Sequence, residues 1–199
     1  MGAQDVRPHD VRLEGAVLVP LAPGFEEIEA VTIIDVLRRA GVEVRVAALG
    51  HGPVTGAHGI TLATNCGLGE VDADGLAMLV LPGGQPGTTN LKADARVLEL
   101  VRRLDASGRH VAAICAAPSV LAAAGVLEGR SATSHPSVRD QLAGAKVVGS
   151  PRVVRAGRVL TSQGVGTALE FALELVAELR GAARARELAA AMLVAPATH

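Results

Sequence analysis

Three almost wholly aliphatic runs, each halted by a turn, most constrain what this chain can fold into. Ala16–Leu21 (A-V-L-V-P-L), Leu76–Leu81 (L-A-M-L-V-L) and His110–Ile114 (H-V-A-A-I) each have the length of one strand. A run that is apolar at every position, rather than every second one, suits a strand covered on both faces. That is the situation of a parallel sheet with helices on either side. Between these runs, Glu26–Ala40 places Ile28, Val31, Ile34 and Leu37 at helical spacing and meets Gly41, where a helix C-terminal glycine belongs. Val42–Ala48 reads as a further strand. Residues 50–74 are rich in Gly, Thr and Asn, with short extended pieces around Ile60–Ala63. Helical segments are predicted at Ala93–Leu104, Pro118–Leu127, Thr167–Arg180 and Ala183–Leu193, and a hairpin within Val147–Leu160 that turns at Ala156-Gly157. The alternation predicts an α/β sandwich with a mostly parallel sheet.

At 199 residues the chain suits one domain. Its expected extent is 14–196, after a polar, patternless tail over 1–13. There are two Phe and no Tyr or Trp, so the core falls to Val, Leu, Ile and Ala, and a base-stacking platform has no rings to build on. A formal net charge of −1, without a run of Lys or Arg, argues against tracking a phosphate backbone. No apolar stretch reaches the length of a bilayer span. The first ten residues lack the apolar centre of a secretory signal, and Val6 stands where a myristoylation signal after Gly2 wants Ser or Thr. The expected compartment is the cytoplasm. Cys66 and Cys115 are too few for a disulfide framework and have no metal-ligand spacing. P-loop, G-x-G-x-x-G, H-E-x-x-H and C-x-x-C signatures are absent as well, so neither a metal nor a cofactor is expected.

In open α/β sheets the site lies beyond the carboxyl ends of the strands. Pro23-Gly24-Phe25, Pro82-Gly83-Gly84 and Cys115-Ala116-Ala117 hold that position here. Cys115 ends a buried strand before a helix, among Ala113, Ala116 and Ala117, and a nucleophile elbow needs such small neighbours. The helix that follows turns its free N–H groups toward the sulfur and favours a thiolate. A small inert core residue is an equally good reading of position alone. His135, in T-S-H-P, is a candidate proton carrier for that thiolate, or simply a turn histidine before proline. Glu29, in P-G-F-E-E-I-E-A, sits one turn in from Glu26. Beside a thiolate its carboxyl would stay protonated and act as a donor or general acid; the plainer reading is a solvated helix glutamate. Glu26 and Glu27 are accounted for by the helix dipole. The backbone N–H groups of Gly83, Gly84 and Ala116 are candidates for an oxyanion hole.

Taken together, P-G-F-E-E-I-E-A, D-V-L-R-R-A-G-V-E-V, L-P-G-G, A-A-I-C-A-A-P, T-S-H-P and T-S-Q-G-V-G-T-A-L-E-F-A-L resemble the DJ-1/ThiJ/PfpI superfamily over nearly all of 14–196. The resemblance is to its branch of parkinsonism-associated deglycases and their bacterial relatives. It implies a flavodoxin-like three-layer sandwich, a homodimer, and a small dicarbonyl or glycated substrate. It places the family's reactive cysteine at Cys115, its protonated glutamate at Glu29, its histidine at His135 and its anion-binding backbone at Gly84 and Ala116. The implied activity is that of a cofactor-free glyoxalase or deglycase. The other readings are a redox-sensing stress chaperone that uses a Cys115 sulfinate, and an intracellular cysteine peptidase. Against the last, Ala116 stands where the protease-named branch has histidine. Gln85, His58 and Gln163 depart from the pattern (Asn, Arg and a basic residue in relatives), and Cys66 matches no second family cysteine.

Overall fold

The computed structural model describes residues 14–195, so the expected tail over 1–13 lies outside the described residues. In chain order the elements are β1 (Ala16–Leu21), α1 (Glu27–Arg39), β2 (Val44–Ala48), β3 (Val54–Thr55), β4 (Thr61–Leu62), β5 (Cys66–Gly67) and β6 (Leu76–Leu81). They continue with α2 (Gly87–Ala93), α3 (Ala95–Ala106), β7 (His110–Ile114), α4 (Pro118–Ala123), β8 (Ser131–Ala132) and β9 (Lys146–Val147). The last are β10 (Val153–Ala156), β11 (Val159–Ser162), α5 (Ala168–Arg180) and α6 (Ala182–Ala191).

The three aliphatic runs form adjacent central strands. The main sheet has the order β10-β11-β7-β6-β1-β2-β5 and is parallel except for the β10–β11 hairpin at one edge. Side chains alternate across it, because successive residues of a strand point to opposite faces. Val17, Val19 and Leu21 pack with α1, α5 and α6, whereas Ala16 and Leu18 pack with α3 and α4. The result is a flavodoxin-like α/β/α sandwich. No helix among the described residues is long and apolar enough to cross a membrane.

Two expected elements differ in extent. The helix expected over Ala93–Leu104 is α3, begun where the Asp94 carboxylate accepts the Arg96 N–H, and the unexpected α2 runs directly before it. The polar G-T-T-N of α2 carries no apolar period, which is why it is silent in the sequence. The helix after Pro118 stops at Ala123, and Gly125, at φ 80°, turns the chain away.

Strand β1 lies between β2 and β6. After β1 the chain first builds to one side and then to the other, so the loops that follow β1 and β6 diverge and leave a crevice. The loop after β7 opens beside it.

Candidate active site

Cys115 follows β7 and is one of two non-glycine residues with positive φ among those described, at 64°. The left-handed conformation costs an L-residue about 1–2 kcal/mol and persists only where neighbours enforce it. Here the Cys115 N–H donates to the Ser162 carbonyl of β11 at 3.0 Å, and its own carbonyl accepts from the His135 N–H at 2.8 Å. The elbow is therefore held from both sides, with the side chain partly buried at the crevice.

Glu29 lies in the first turn of α1 and is wholly buried. Its Oε2 accepts the Gly83 N–H at 2.8 Å. Its Oε1 is buried without a hydrogen-bond partner of standard geometry, while a side-chain hydrogen bond couples the carboxyl to the Cys115 thiol. The pairing depends on glycine: a Cβ at Gly83 would lie 2.6 Å from Cys115 Cβ and 2.9 Å from Glu29 Oε2.

The electrostatics follow from burial. Desolvation pushes Glu29 up to about 7, against the Gly83 hydrogen bond. Burial first, and then the charge of an ionised Glu29, push the thiol up to about 12, while the Ala116 and Gly84 backbone N–H groups pull it down. The site thus resists two negative charges and holds one. With the charge on Glu29, the Cys115 thiol is the donor to the buried carboxylate. With the proton on Glu29, the carboxyl becomes the donor and the sulfur is met by Gly84 and Ala116. Burial alone favours the first arrangement, because Glu29 gives up its proton before the thiol does; the two backbone donors at the sulfur favour the second, with the charge on sulfur. The sequence expected a like charge to keep Glu29 protonated; the leading cause is burial.

His135 is exposed, and its Nδ1 is bound to Ser137, 2.7 Å from Oγ and 3.3 Å from the N–H that donates to it. Its Cδ2 and the Cys115 sulfur both border Gly164, whose Cβ position lies 3.6 Å from the one and 3.8 Å from the other. Cys115, Glu29, His135, Gly84 and Ala116 therefore share one crevice. Gly83 does not join the anion-binding set expected of it, because its N–H is committed to Glu29; its part is to allow the close approach.

Several features went unread in the sequence. Gly164 carries no signal beyond being a glycine in T-S-Q-G-V-G. Glu27 does more than complement the helix dipole: it clamps the β3–β4 hairpin. Its Oε1 accepts the His58 N–H at 2.6 Å and the Ile60 N–H at 3.3 Å, and Oε2 lies 2.9 Å from His58 Nδ1. Burial opposes the charge, but these bonds hold Glu27 down at about 2. Glu26, Glu27 and His58 bring ligand-type atoms within 4.8 Å of one another, a possible metal grouping, though in this structure Glu27 and His58 are paired with each other. Of the other departures, Gln163 donates to the Gly149 carbonyl and Gln85 accepts from the Thr89 hydroxyl.

A flavodoxin-like sandwich with a cysteine on a strained elbow beside a buried glutamate defines a class of α/β proteins built around one reactive sulfur. Residues 15–178 match the DJ-1/PfpI family, and the chain belongs to that family. It is 42% identical over 182 residues to protein dj-1beta of Drosophila melanogaster, covering 90% of this chain and 97% of that protein. The crystal structure of that relative superimposes with a TM-score of 0.88, covering 92% of this chain and all of the other. Deglycase TK1284 of Thermococcus kodakarensis is 34% identical over 166 residues, covering 82% and 99% of the two chains. Oxidized Toxoplasma gondii DJ-1 is 36% identical with a TM-score of 0.87, covering 92% of this chain and 100% of its own.

Proposed function

We propose that this protein is a cofactor-free, cysteine-dependent glyoxalase or deglycase of carbonyl-stress defence, acting in the cytoplasm on methylglyoxal or its early protein and nucleotide adducts. The observation that carries this reading is the Cys115–Glu29 pair: one negative charge, two backbone donors at the sulfur, and a carboxyl placed to take and return a proton. The deglycase name of the Thermococcus relative supports the same class.

Cys115 Sγ adds to the aldehyde carbon, a C–S bond forms as the C=O π bond opens, and Glu29 delivers its proton to the new alkoxide. The oxygen arrives where the Gly84 and Ala116 N–H groups converge. Glu29, now a carboxylate, removes the proton from that carbon to give an enediol, and a proton returned to the neighbouring carbon, by Glu29 or His135, leaves a thioester. Water cleaves the C–S bond, releasing lactate and one proton to solvent and returning the pair to a Cys115 thiolate beside a protonated Glu29. Methylglyoxal and one water are consumed for each lactate formed, with no external oxidant.

Ile28 and Val31, one turn apart on α1, are exposed, as is Ile60, whose N–H reaches Glu27 on that helix. This apolar face supports a homodimer built beside the crevice.

The test is lactate release from methylglyoxal. Wild type is expected to form lactate, and Cys115→Ser and Glu29→Gln to fall to background. Equal rates in all three proteins would overturn the enzyme reading and favour a redox sensor, in which a protonated Glu29 donates to a Cys115 sulfinate.

A further inference from the structure

We propose that the cavity between α2, α4 and the turn at Pro136–Gln141 is a binding subsite for a small anionic, hydroxylated group, the remote end of a molecule whose aldehyde Cys115 engages. The second half of that statement rests on the function proposed above; the first does not.

The cavity has a volume of about 280 Å³ and is lined chiefly by Gln85, Thr88, Thr89, Lys92, Ser119 and Gln141. No carboxylate lines it, and Lys92 supplies a cation whose Nζ meets only the neutral Gln141 Oε1 there, at 3.2 Å. Thr88 is 1% exposed, and its hydroxyl has no hydrogen-bond partner. A helical threonine hydroxyl ordinarily bonds the carbonyl four residues back. Here the Gly84 carbonyl accepts the Thr88 N–H at 2.9 Å but not the hydroxyl, which is left without a partner. A cation, a spare hydroxyl and two amides without a facing acid suit a phosphate or carboxylate that carries hydroxyls. The volume lies near the lower end for ligand pockets, roughly 300 Å³, which restricts the group to a few heavy atoms.

Position ties the cavity to the elbow. Gln85 follows Gly84 directly, a Cα step of about 3.8 Å. The Ser119 hydroxyl and N–H both donate to the Ala116 carbonyl, at 2.8 and 3.1 Å. Each backbone donor at the Cys115 sulfur is thus directly joined to a wall of the cavity.

Calorimetry on the full chain with inorganic phosphate, glycerate and glycerol tests the subsite without turnover. Phosphate or glycerate is expected to bind wild type and Cys115→Ser alike and about tenfold more weakly to Lys92→Met. Thr88→Val is expected to weaken binding as well, and glycerol to show none. Whichever of phosphate and glycerate binds more tightly identifies the anion. Unchanged binding in both Lys92→Met and Thr88→Val, or none to wild type, overturns the subsite. Lys92 is partly exposed, so Lys92→Met keeps the test open should Thr88→Val fail to fold. The link to Cys115 is read from KM: Lys92→Met should raise it about tenfold for an α-oxoaldehyde bearing a phosphate, with kcat and methylglyoxal unaffected. Equal shifts for both substrates overturn the link. Absence of turnover in wild type, with phosphate binding intact there and in Cys115→Ser, counts against the enzyme reading and for the subsite.

Discussion

At the scale of the residue, Cys115 stores strain where the chemistry is proposed. Its small neighbours are legible in A-A-I-C-A-A-P, because only small side chains tolerate a tight strand-to-helix turn. Its positive φ belongs to a conformation that glycine adopts freely. Cys115→Gly is therefore expected to be more stable than Cys115→Ala by about 1 kcal/mol in urea titrations, since alanine keeps the left-handed penalty and glycine does not. Equal stability would mean that the elbow is unstrained. Glu29 was less legible. Three acids in four positions open α1, and helical spacing alone does not say which one the sheet will cover. That depends on Gly83, which is 54 residues away and brings its N–H to the carboxyl.

Elements made of aliphatic runs were readable to the residue, as β1, β6 and β7 show, because burial on both faces leaves one composition possible. The β3–β4 hairpin was only roughly placed. It packs on the start of α1 through the Glu27 clamp, a long-range contact without local pattern. The clamp has a defined response to acid. Glu27 falls from 4.5 in the free chain to about 2 in the fold. The unfolded state therefore takes up the proton first as pH drops, and the stabilisation present above about 4.5 is lost on approaching 2. His58 is raised by the same pairing, so its share is present at low pH and lost as pH rises through its elevated transition. Hydrogen exchange at the His58 and Ile60 amides is expected to accelerate about tenfold between pH 5 and pH 3 after correction for intrinsic rates. Glu27→Gln should remove that step, and a step that survives the substitution would place the clamp elsewhere.

The whole molecule supplies what neither residue patterns nor single elements contain. Strand order brings the loops after β1, β6 and β7 to one crevice, and the family's motifs, not periodicity, announced that order in advance. The exposed Ile28, Val31 and Ile60 give an expected dimer in sedimentation velocity, converted to monomer by Ile28→Glu with Ile60→Lys; an unchanged sedimentation coefficient would move the interface off this face. The Cys115–Glu29 pair is itself a product of this assembly, with α1 bringing the acid, β6 the glycines and β7 the sulfur. Whether its single charge rests on sulfur is decided by the pH midpoint of Cys115 alkylation with iodoacetamide, followed by mass spectrometry in wild type and Glu29→Leu. If Glu29 holds the proton and donates it, losing that donor in a buried site raises the midpoint, by about one pH unit or more. A midpoint that falls instead would show that Glu29 carries the charge, and would contradict the thiolate–carboxylic acid pair on which the proposed chemistry stands.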